Sequence, residues 1–220
     1  MFIYQLISSE IPSLTMEDTG DKALQLMQDH QISNITIVEG DEYKALIKEE
    51  DLLNWETPEK ALSSADFTNF KPVVYGNQHP YEAIRRALQQ NISIVPVLNE
   101  DNKYMGSVSR NALFEFICNN SGLDKSGGIL CLEAKPANYS LSEIARICES
   151  NDVIITNLQV FTYPNQELME IVIKTNTKDI QSLVASFERY EYEVKEVFGE
   201  MPAMESMIDR YQSLMHYINM

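Results

Sequence analysis

The chain contains an internal repeat, which constrains its fold more than any other feature of the sequence. Residues 31–53 read QISNITIVEGDEYKALIKEEDLL, and residues 91–114 follow the same order with NISIVPVLNEDNKYMGSVSRNALF. Each copy has an apolar run, a polar turn, a second apolar run and a helix start. Ile32 aligns on Ile92 at an offset of 60 residues. After the turn, Tyr43 aligns on Tyr104 at an offset of 61, because the second turn has one extra residue. Because turns tolerate insertions and strands do not, this pattern indicates a duplication.

Both copies predict the same elements. Residues 19–30 and 79–90 carry apolar side chains at helical spacing, and Thr19 is placed to cap the first of these helices. Two short strands joined by a hairpin follow in each copy, and a second helix begins after them. The unit is therefore β-α-β-β-α. One unit of this size buries little apolar surface, so we expect the two copies to pack together.

The repeat resembles the CBS domain, a family that occurs in tandem pairs known as Bateman modules. The resemblance covers roughly residues 1–118 and implies a first repeat at 1–58 and a second at 59–118. The matching residues are Ala23-Leu24, Met27, Ile32-Ser33, Ile37-Val38 and Asp51-Leu52 in the first copy, and Ile92-Ser93, Pro96-Val97 and Gly106-Ser107-Val108-Ser109 in the second.

The resemblance implies an adenosine-containing ligand, such as AMP, ATP or S-adenosylmethionine, in the cleft between the repeats. The family anchors it with a Thr/Ser-x-x-Asp motif, whose hydroxyl meets a phosphate or ribose oxygen and whose carboxylate accepts from ribose hydroxyls. This chain divides the motif between its copies: the first keeps Asp51 without the hydroxyl, and the second keeps Ser109 without the aspartate. Lys48 and Arg110 stand beside these positions as candidate phosphate contacts.

The base of such a ligand would lie among apolar side chains, for which the resemblance points to Ile35, Val95 and Pro96. A structural interpretation stays open for each polar candidate. Asp51 and Ser109 also suit the capping of a following helix, and Arg110 suits a solvated surface. The pair could therefore be a sensor or a degenerate module that only assembles.

The second half of the chain predicts a separate small domain. The polar, glycine-rich residues 119–128 are the best linker in the sequence. After them, strands at 129–134, 153–161, 168–175 and 193–198 and helices at 140–150 and 179–190 give the order β-α-β-β-α-β. This order predicts an antiparallel sheet with two helices on one face. The fold class of the whole chain is accordingly α+β.

Residues 129–200 resemble the ACT domain, which binds amino acids at the turn after its first strand and often dimerises. The resemblance places Asn138 and Tyr139 at that turn; alternatively, Tyr139 fills the space and the domain serves only as a dimerising sheet. A CBS pair followed by an ACT-like domain is similar to the acetoin-utilisation protein B group of bacteria.

Residues 201–220 predict an amphipathic helix with a methionine-rich stripe, suited to a core, a dimer contact or a docking partner.

Composition and missing motifs limit the function. The formal net charge is −16, which argues against binding of nucleic acid or an anionic membrane. No apolar run is long enough for a transmembrane helix, and the N-terminus lacks the pattern of a signal peptide. Three cysteines with no metal-ligand spacing suggest reduced thiols in the cytoplasm.

No catalytic motif, metal site or Gly-rich phosphate loop is recognisable. We therefore predict a cytoplasmic, non-catalytic and homodimeric regulatory protein, without a resident cofactor. It would bind a small adenosyl ligand in the CBS pair, dimerise through the ACT-like domain and act on an unidentified protein target. The alternatives are a ligand-free interaction scaffold and an amino-acid sensor that uses the ACT-like domain.

Overall fold

The computed structural model describes residues 1–163 and 167–199. The chain divides into two compact units, Met1–Ile117 and Cys118–Met220. The predicted C-terminal helix at 201–220 lies outside the described residues, so that expectation and the predicted domain boundaries stay predictions. No helix within the described ranges is long and apolar enough to cross a membrane.

The first unit consists of two copies of the predicted β-α-β-β-α order. A 3-10 helix at Ile3–Leu6 precedes the first copy, and another at Leu62–Ser64 separates the two. The first copy contains β1 (Ser13–Leu14), α1 (Gly20–Asp29), β2 (Asn34–Glu39), β3 (Glu42–Lys48) and α2 (Glu49–Leu53). The second contains β4 (Val74–Tyr75), α3 (Pro80–Gln90), β5 (Ile94–Leu98), β6 (Tyr104–Ser109) and α4 (Arg110–Asn120).

Each copy forms a three-stranded sheet with the same topology. The strand orders are β1-β2-β3 and β4-β5-β6, with the first pair parallel and the second antiparallel. Leu14 pairs with Ile37 in the first sheet, and Val74 pairs with Val97 in the second. The offset of 60 seen in the sequence therefore extends back to the strand that opens each copy. Thr19 caps α1 as predicted, accepting a hydrogen bond from the Lys22 backbone at 3.2 Å.

The two copies exchange the segments that precede their first strands. The segment before β1 lies on the second copy, where the Ser8 backbone donates to the Ser107 carbonyl at 3.2 Å. The segment before β4 lies on the first copy, where the Leu46 backbone donates to the Phe70 carbonyl at 2.9 Å. The N-terminal segment therefore contacts the sheet of the second copy, and the segment between the copies contacts the sheet of the first.

The core of the first unit is shared by both copies. Equivalent residues of the two repeats are buried in one hydrophobic cluster, including Ala23 with Ala83 and Ile32 with Ile92. The burial of side chains from both copies in a single cluster agrees with the expectation that one copy alone has too little apolar surface.

The second unit is a four-stranded antiparallel sheet carrying two helices. Its elements are β7 (Ile129–Ala134), α5 (Leu141–Glu149), β8 (Ile155–Thr162), β9 (Met169–Thr175), α6 (Gln181–Arg189) and β10 (Glu193–Phe198). The strand order is β10-β7-β9-β8. Leu132 of β7 and Ile171 of β9 face a core that contains Ile144 of α5 and Phe187 of α6. A duplicated β-α-β-β-α unit followed by a small domain with an antiparallel sheet confirms the predicted α+β fold class.

Candidate ligand cleft

A polar cavity of about 310 Å³ lies where the N-terminal segment and the end of α1 meet the start of α4. We call it the second cleft, because it contains the motif of the second repeat. Its polar lining residues include Ser8, Glu10, His30, Ser109, Arg110 and Asn111. It brings together a carboxylate, an imidazole, a guanidinium, two hydroxyls and an amide, which suits an anionic ligand that also carries hydroxyl groups.

Ser109 has a structural role and a cleft position at once. Its hydroxyl oxygen accepts a hydrogen bond from the Ala112 backbone at 3.1 Å, which caps the start of α4. It is half-buried and lines the second cleft. The hydroxyl keeps its own proton for donation, so capping and ligand binding are compatible.

Arg110 is held in position by the end of α3. Its Nη2 donates to the Ile92 carbonyl at 2.9 Å and to Asn91 Oδ1 at 3.3 Å. Asn91 itself adopts a left-handed φ of 49° as the C-cap of α3. Within residues 1–163 and 167–199, Arg110 forms no ion pair. The guanidinium is thus oriented by neutral groups, and its charge remains available to an anion.

Glu10 brings a carboxylate to the same cavity. Its backbone donates to Ser8 Oγ at 3.2 Å, which shapes the turn before β1. The side chain has no ion pair in the described part of the chain. A carboxylate accepts hydrogen bonds from vicinal hydroxyls, which is the role that the missing aspartate of the second motif would have served.

The equivalent region of the first repeat, here called the first cleft, has different chemistry. Lys48 Nζ lies 5.1 Å from the ring centroid of Phe70 and 3.2 Å from Glu50 Oε1. The offset of 60 places Phe70 at the position of Glu10, and the later offset of 61 places Lys48 at that of Ser109. Asp51 is exposed in the first turn of α2, and its side chain does not cap the helix. Lys48 therefore lies against the Phe70 ring and beside the Glu50 carboxylate.

The predicted apolar contacts lie within the strands. Ile35 in β2 and Val95 in β5 are fully buried, and Pro96 is buried beside Val95. None of the three is among the residues that line the second cleft. The structure thus joins Ser109 and Arg110 of the predicted set in one cavity, and it places Asp51, Lys48 and the three apolar residues elsewhere.

A buried amide links the two copies near the clefts. Asn34 is 2% exposed, and its Oδ1 accepts from the Ser93 backbone at 2.8 Å and from Ser93 Oγ at 3.2 Å. The Ser93 hydroxyl oxygen in turn accepts from the Ser33 backbone at 2.9 Å. The equivalent of Asn34 in the second copy is Ile94. This cluster fixes the starts of β2 and β5 against each other.

The second unit has a larger cavity of about 520 Å³ at the end of β7. Asn138 lines it together with Lys135 and Glu143, whereas Tyr139 packs against the core. Tyr192 also lines this cavity and donates to Glu143 Oε2 at 2.9 Å. Burial, together with this hydrogen bond, raises the pKa of Tyr192 to about 12, so the phenol stays protonated as a donor at neutral pH.

Neither unit shows a grouping of three His, Cys, Asp or Glu side chains that could hold a metal ion, as far as the described residues extend. Cys131 and Cys148 are buried, and burial raises the pKa of the Cys148 thiol to about 11. A thiol with a raised pKa is a poor nucleophile at neutral pH.

The first unit is thus a duplicated β-α-β-β-α fold in which the two copies exchange their leading segments. The family model described as "CBS domain" matches residues 3–57 and 65–119, which is half of the chain. The chain belongs to the CBS domain family.

Several solved structures are similar to this chain. A CBS domain pair/ACT domain protein from Thermotoga maritima is 18% identical with a TM-score of 0.47; the match covers 54% of this chain and 98% of the Thermotoga chain. CBSX2 in complex with AMP is 17% identical with a TM-score of 0.46, covering 54% and 96%. The CBS domain of a bacterial CNNM/CorC family Mg²⁺ transporter in complex with ATP is 16% identical with a TM-score of 0.44, covering 53% and 87%.

The sequence analysis did not identify Glu10 and Phe70, although these two residues make the chemistry of the second cleft differ from that of the equivalent region in the first repeat. Both precede the first strand of their copy, outside the aligned motifs. The available signal was the offset of 60, which aligns the two residues and contrasts a carboxylate with an aromatic ring.

Proposed function

We propose that this chain is a non-catalytic regulatory protein that binds an adenine mononucleotide in the second cleft. The observation that carries this proposal is the joining of Arg110, Ser109 and Glu10 around one cavity. Arg110 would hold the phosphate, with Ser109 donating to it or to the ribose. Glu10 would accept from the ribose hydroxyls in place of the aspartate that the second motif lacks.

The cavity favours a ligand with one phosphate. Its volume of about 310 Å³ is at the lower end of the range for small-molecule sites. A single guanidinium lines it, and the Glu10 carboxylate would repel a longer phosphate chain. Within the adenosyl class, AMP therefore fits these residues better than ATP or S-adenosylmethionine.

The test is calorimetric titration of the full-length protein with AMP, ADP, ATP and S-adenosylmethionine. We expect one AMP per chain, with binding weakened about tenfold or more by Arg110→Ala, because a charge-assisted hydrogen bond is lost. Glu10→Gln should weaken the binding of AMP more than it weakens the binding of adenine alone. Asp51→Ala should leave affinity unchanged, since Asp51 lies outside the second cleft.

Arg85→Ala serves as the matched control, because Arg85 is an exposed arginine paired with Glu82 on α3. It removes the same charge without touching the cleft. A result in which no compound binds at millimolar concentration would refute the proposal and favour a ligand-free scaffold. Equal loss of affinity in Arg85→Ala and Arg110→Ala would show a general charge effect instead.

The second unit supports a second candidate, an amino-acid sensor. Its 520 Å³ cavity combines Lys135, suited to a carboxylate, with Glu143 and Glu191, suited to an ammonium group. We propose it as an ACT-like domain that dimerises, and the whole chain as a cytoplasmic member of the acetoin-utilisation protein B group. The twenty amino acids in the same titration would test this candidate, with Lys135→Ala expected to remove any response.

A further inference from the structure

The second cleft carries no net charge as long as His30 is neutral. Glu10 and Arg110 are the other titratable or charged residues that line it within the described part of the chain, and their charges cancel. A phosphate monoester carries about −1.5 to −2 charges at pH 7. The mononucleotide proposed above therefore brings more negative charge than Arg110 alone can balance, and a further cation in the cavity would strengthen its binding.

His30 is the residue of this cavity that can supply that cation. Imidazole is the side chain whose charge changes most readily near neutral pH, and its protonated form donates hydrogen bonds from both ring nitrogens. The His30 side chain is exposed, and it forms no hydrogen bond or ion pair with another residue that the structure describes. Both ring nitrogens are thus available to a ligand in the cleft.

The backbone holds His30 at the C-terminal end of α1. The His30 N–H donates to the Leu26 carbonyl at 3.1 Å, and Gln31 ends the helix with a φ of 53°. The carbonyl groups at a helix C-terminus carry a partial negative charge, which stabilises an imidazolium placed there. The position of His30 in the fold therefore favours its protonated form.

The charged groups near His30 come from three elements. Asp29 precedes it on α1 and is exposed, outside the residues that line the cavity. Glu10, from the N-terminal segment, shares the cavity and favours a protonated imidazole, whereas Arg110, from the start of α4, opposes protonation. A phosphate that lies between the two cations offsets their repulsion. Protonation of His30 and binding of a phosphate therefore reinforce each other.

The repeat provides a neutral counterpart of His30. At the offset of 60, Gln90 occupies the equivalent position at the end of α3. Glutamine is therefore compatible with this place in the fold, but it carries no charge at any pH. Replacing His30 by glutamine removes the titratable group and keeps a side chain that the fold already holds at the end of the equivalent helix.

We infer that His30 is a second phosphate contact of the second cleft and that it binds the phosphate as an imidazolium. The inference rests on the proposed function, because it adds a residue to the same site. On binding, one proton passes from solvent to the free ring nitrogen, and the imidazolium then donates to a phosphate oxygen. Because the bound phosphate stabilises the charged form, the contribution of His30 to affinity should grow as the pH falls from 8 to 6.

The experiment is calorimetric titration of the full-length protein and of His30→Gln with AMP at pH 6, 7 and 8. The AMP phosphate itself takes up protons near pH 6, so the difference between the two proteins isolates the imidazole. We expect His30→Gln to weaken AMP binding about five- to tenfold at pH 6 and less than about twofold at pH 8. At pH 7, titrations in two buffers of different ionisation enthalpy should show that the wild-type protein takes up about half a proton more per AMP than the variant.

Two further variants complete the test. His79→Gln removes an exposed imidazole at the start of α3, outside the second cleft, and should leave AMP affinity and proton uptake unchanged. His30→Lys keeps a cation throughout this pH range, so its affinity for AMP should exceed that of His30→Gln at pH 8 as well as at pH 6. Thermal unfolding of each variant checks that it is folded.

Three outcomes would count against the inference. An equal loss of affinity at pH 6 and pH 8 in His30→Gln would overturn it, because a merely structural role of His30 does not depend on its charge. Unchanged affinity and proton uptake in that variant would also overturn it, while the AMP binding itself would leave the proposed function standing. If the wild-type protein binds no AMP at any pH, the proposed function fails and the inference fails with it.

Discussion

Replacing Asn34 by alanine tests whether one buried amide holds the two repeats together. Asn34 Oδ1 accepts from the Ser93 backbone at 2.8 Å and from the Ser93 hydroxyl at 3.2 Å. It also accepts a longer bond of 3.3 Å from Ser33. Alanine removes the acceptor and leaves the Ser93 N–H without its partner in a half-buried position.

The expected loss follows from these contacts. A typical hydrogen bond contributes about 0.5–1.5 kcal/mol net, and a buried donor left unpaired costs about 1–3 kcal/mol. The Ser33 bond is long and more exposed, so it adds little. We therefore expect Asn34→Ala to lower the free energy of unfolding of the first unit by about 2–3 kcal/mol.

The assay is urea unfolding followed by tryptophan fluorescence. Trp55 is the single tryptophan of the chain and packs edge-on to Phe67 in the first unit, so its signal reports that unit. Asn77→Ala is the matched control: Asn77 is exposed and bonds Glu100 at 2.8 Å, and we expect a loss below about 0.5 kcal/mol. An Asn34→Ala loss no larger than that of the control would refute the reasoning.

Two further predictions concern stability of the same unit. Burial alone would raise the pKa of Asp18, but hydrogen bonds from Lys22 and from Thr15 hold it below its ordinary value of 3.8. The stabilisation is therefore present above pH 4 and disappears as the pH falls through the lowered pKa. Asp18→Asn should cost about 1 kcal/mol at pH 7 and progressively less as the pH falls below 4, measured by urea unfolding at each pH; a cost independent of pH would contradict this. Gly106 has φ +142°, and a Cβ there would meet Ile7, whereas Gly40 has φ +58° and open space around it. Gly106→Ala should therefore lower the thermal midpoint clearly more than Gly40→Ala, which carries only the backbone cost of about 1–2 kcal/mol, and equal shifts would show that Ile7 gives way.

The fold was predictable because its signals are local. Apolar spacing, hairpin turns and caps such as Thr19 and Ser140 each depend on a few neighbouring residues. Ser140 caps α5 by accepting from the Glu143 backbone at 3.3 Å. In the first unit, the duplication supplied two sequences for each strand and helix, so the prediction for one copy could be compared with that for its equivalent.

The site was predictable only in part, because its residues come from segments that are far apart in the sequence and meet only in the folded chain. Ser109 and Arg110 belong to a motif within one copy and could be found by aligning the two copies. Glu10 reaches the same cavity because the segment before β1 lies on the second copy. Nothing in local periodicity specifies that exchange, so the carboxylate that completes the second cleft could not be recognised from its neighbours.

The two copies keep apolar residues at many core positions and differ in charge at several polar positions. Ala23 and Ala83 are both buried in one core. Two of the positions in these regions have diverged in charge: Glu10 aligns with Phe70, and Glu49 with Arg110. A fully symmetric pair would have the same side chains in both regions. Divergence at these few positions instead brings a guanidinium and a carboxylate together in the second cleft, whereas the equivalent lysine of the first repeat lies over the Phe70 ring.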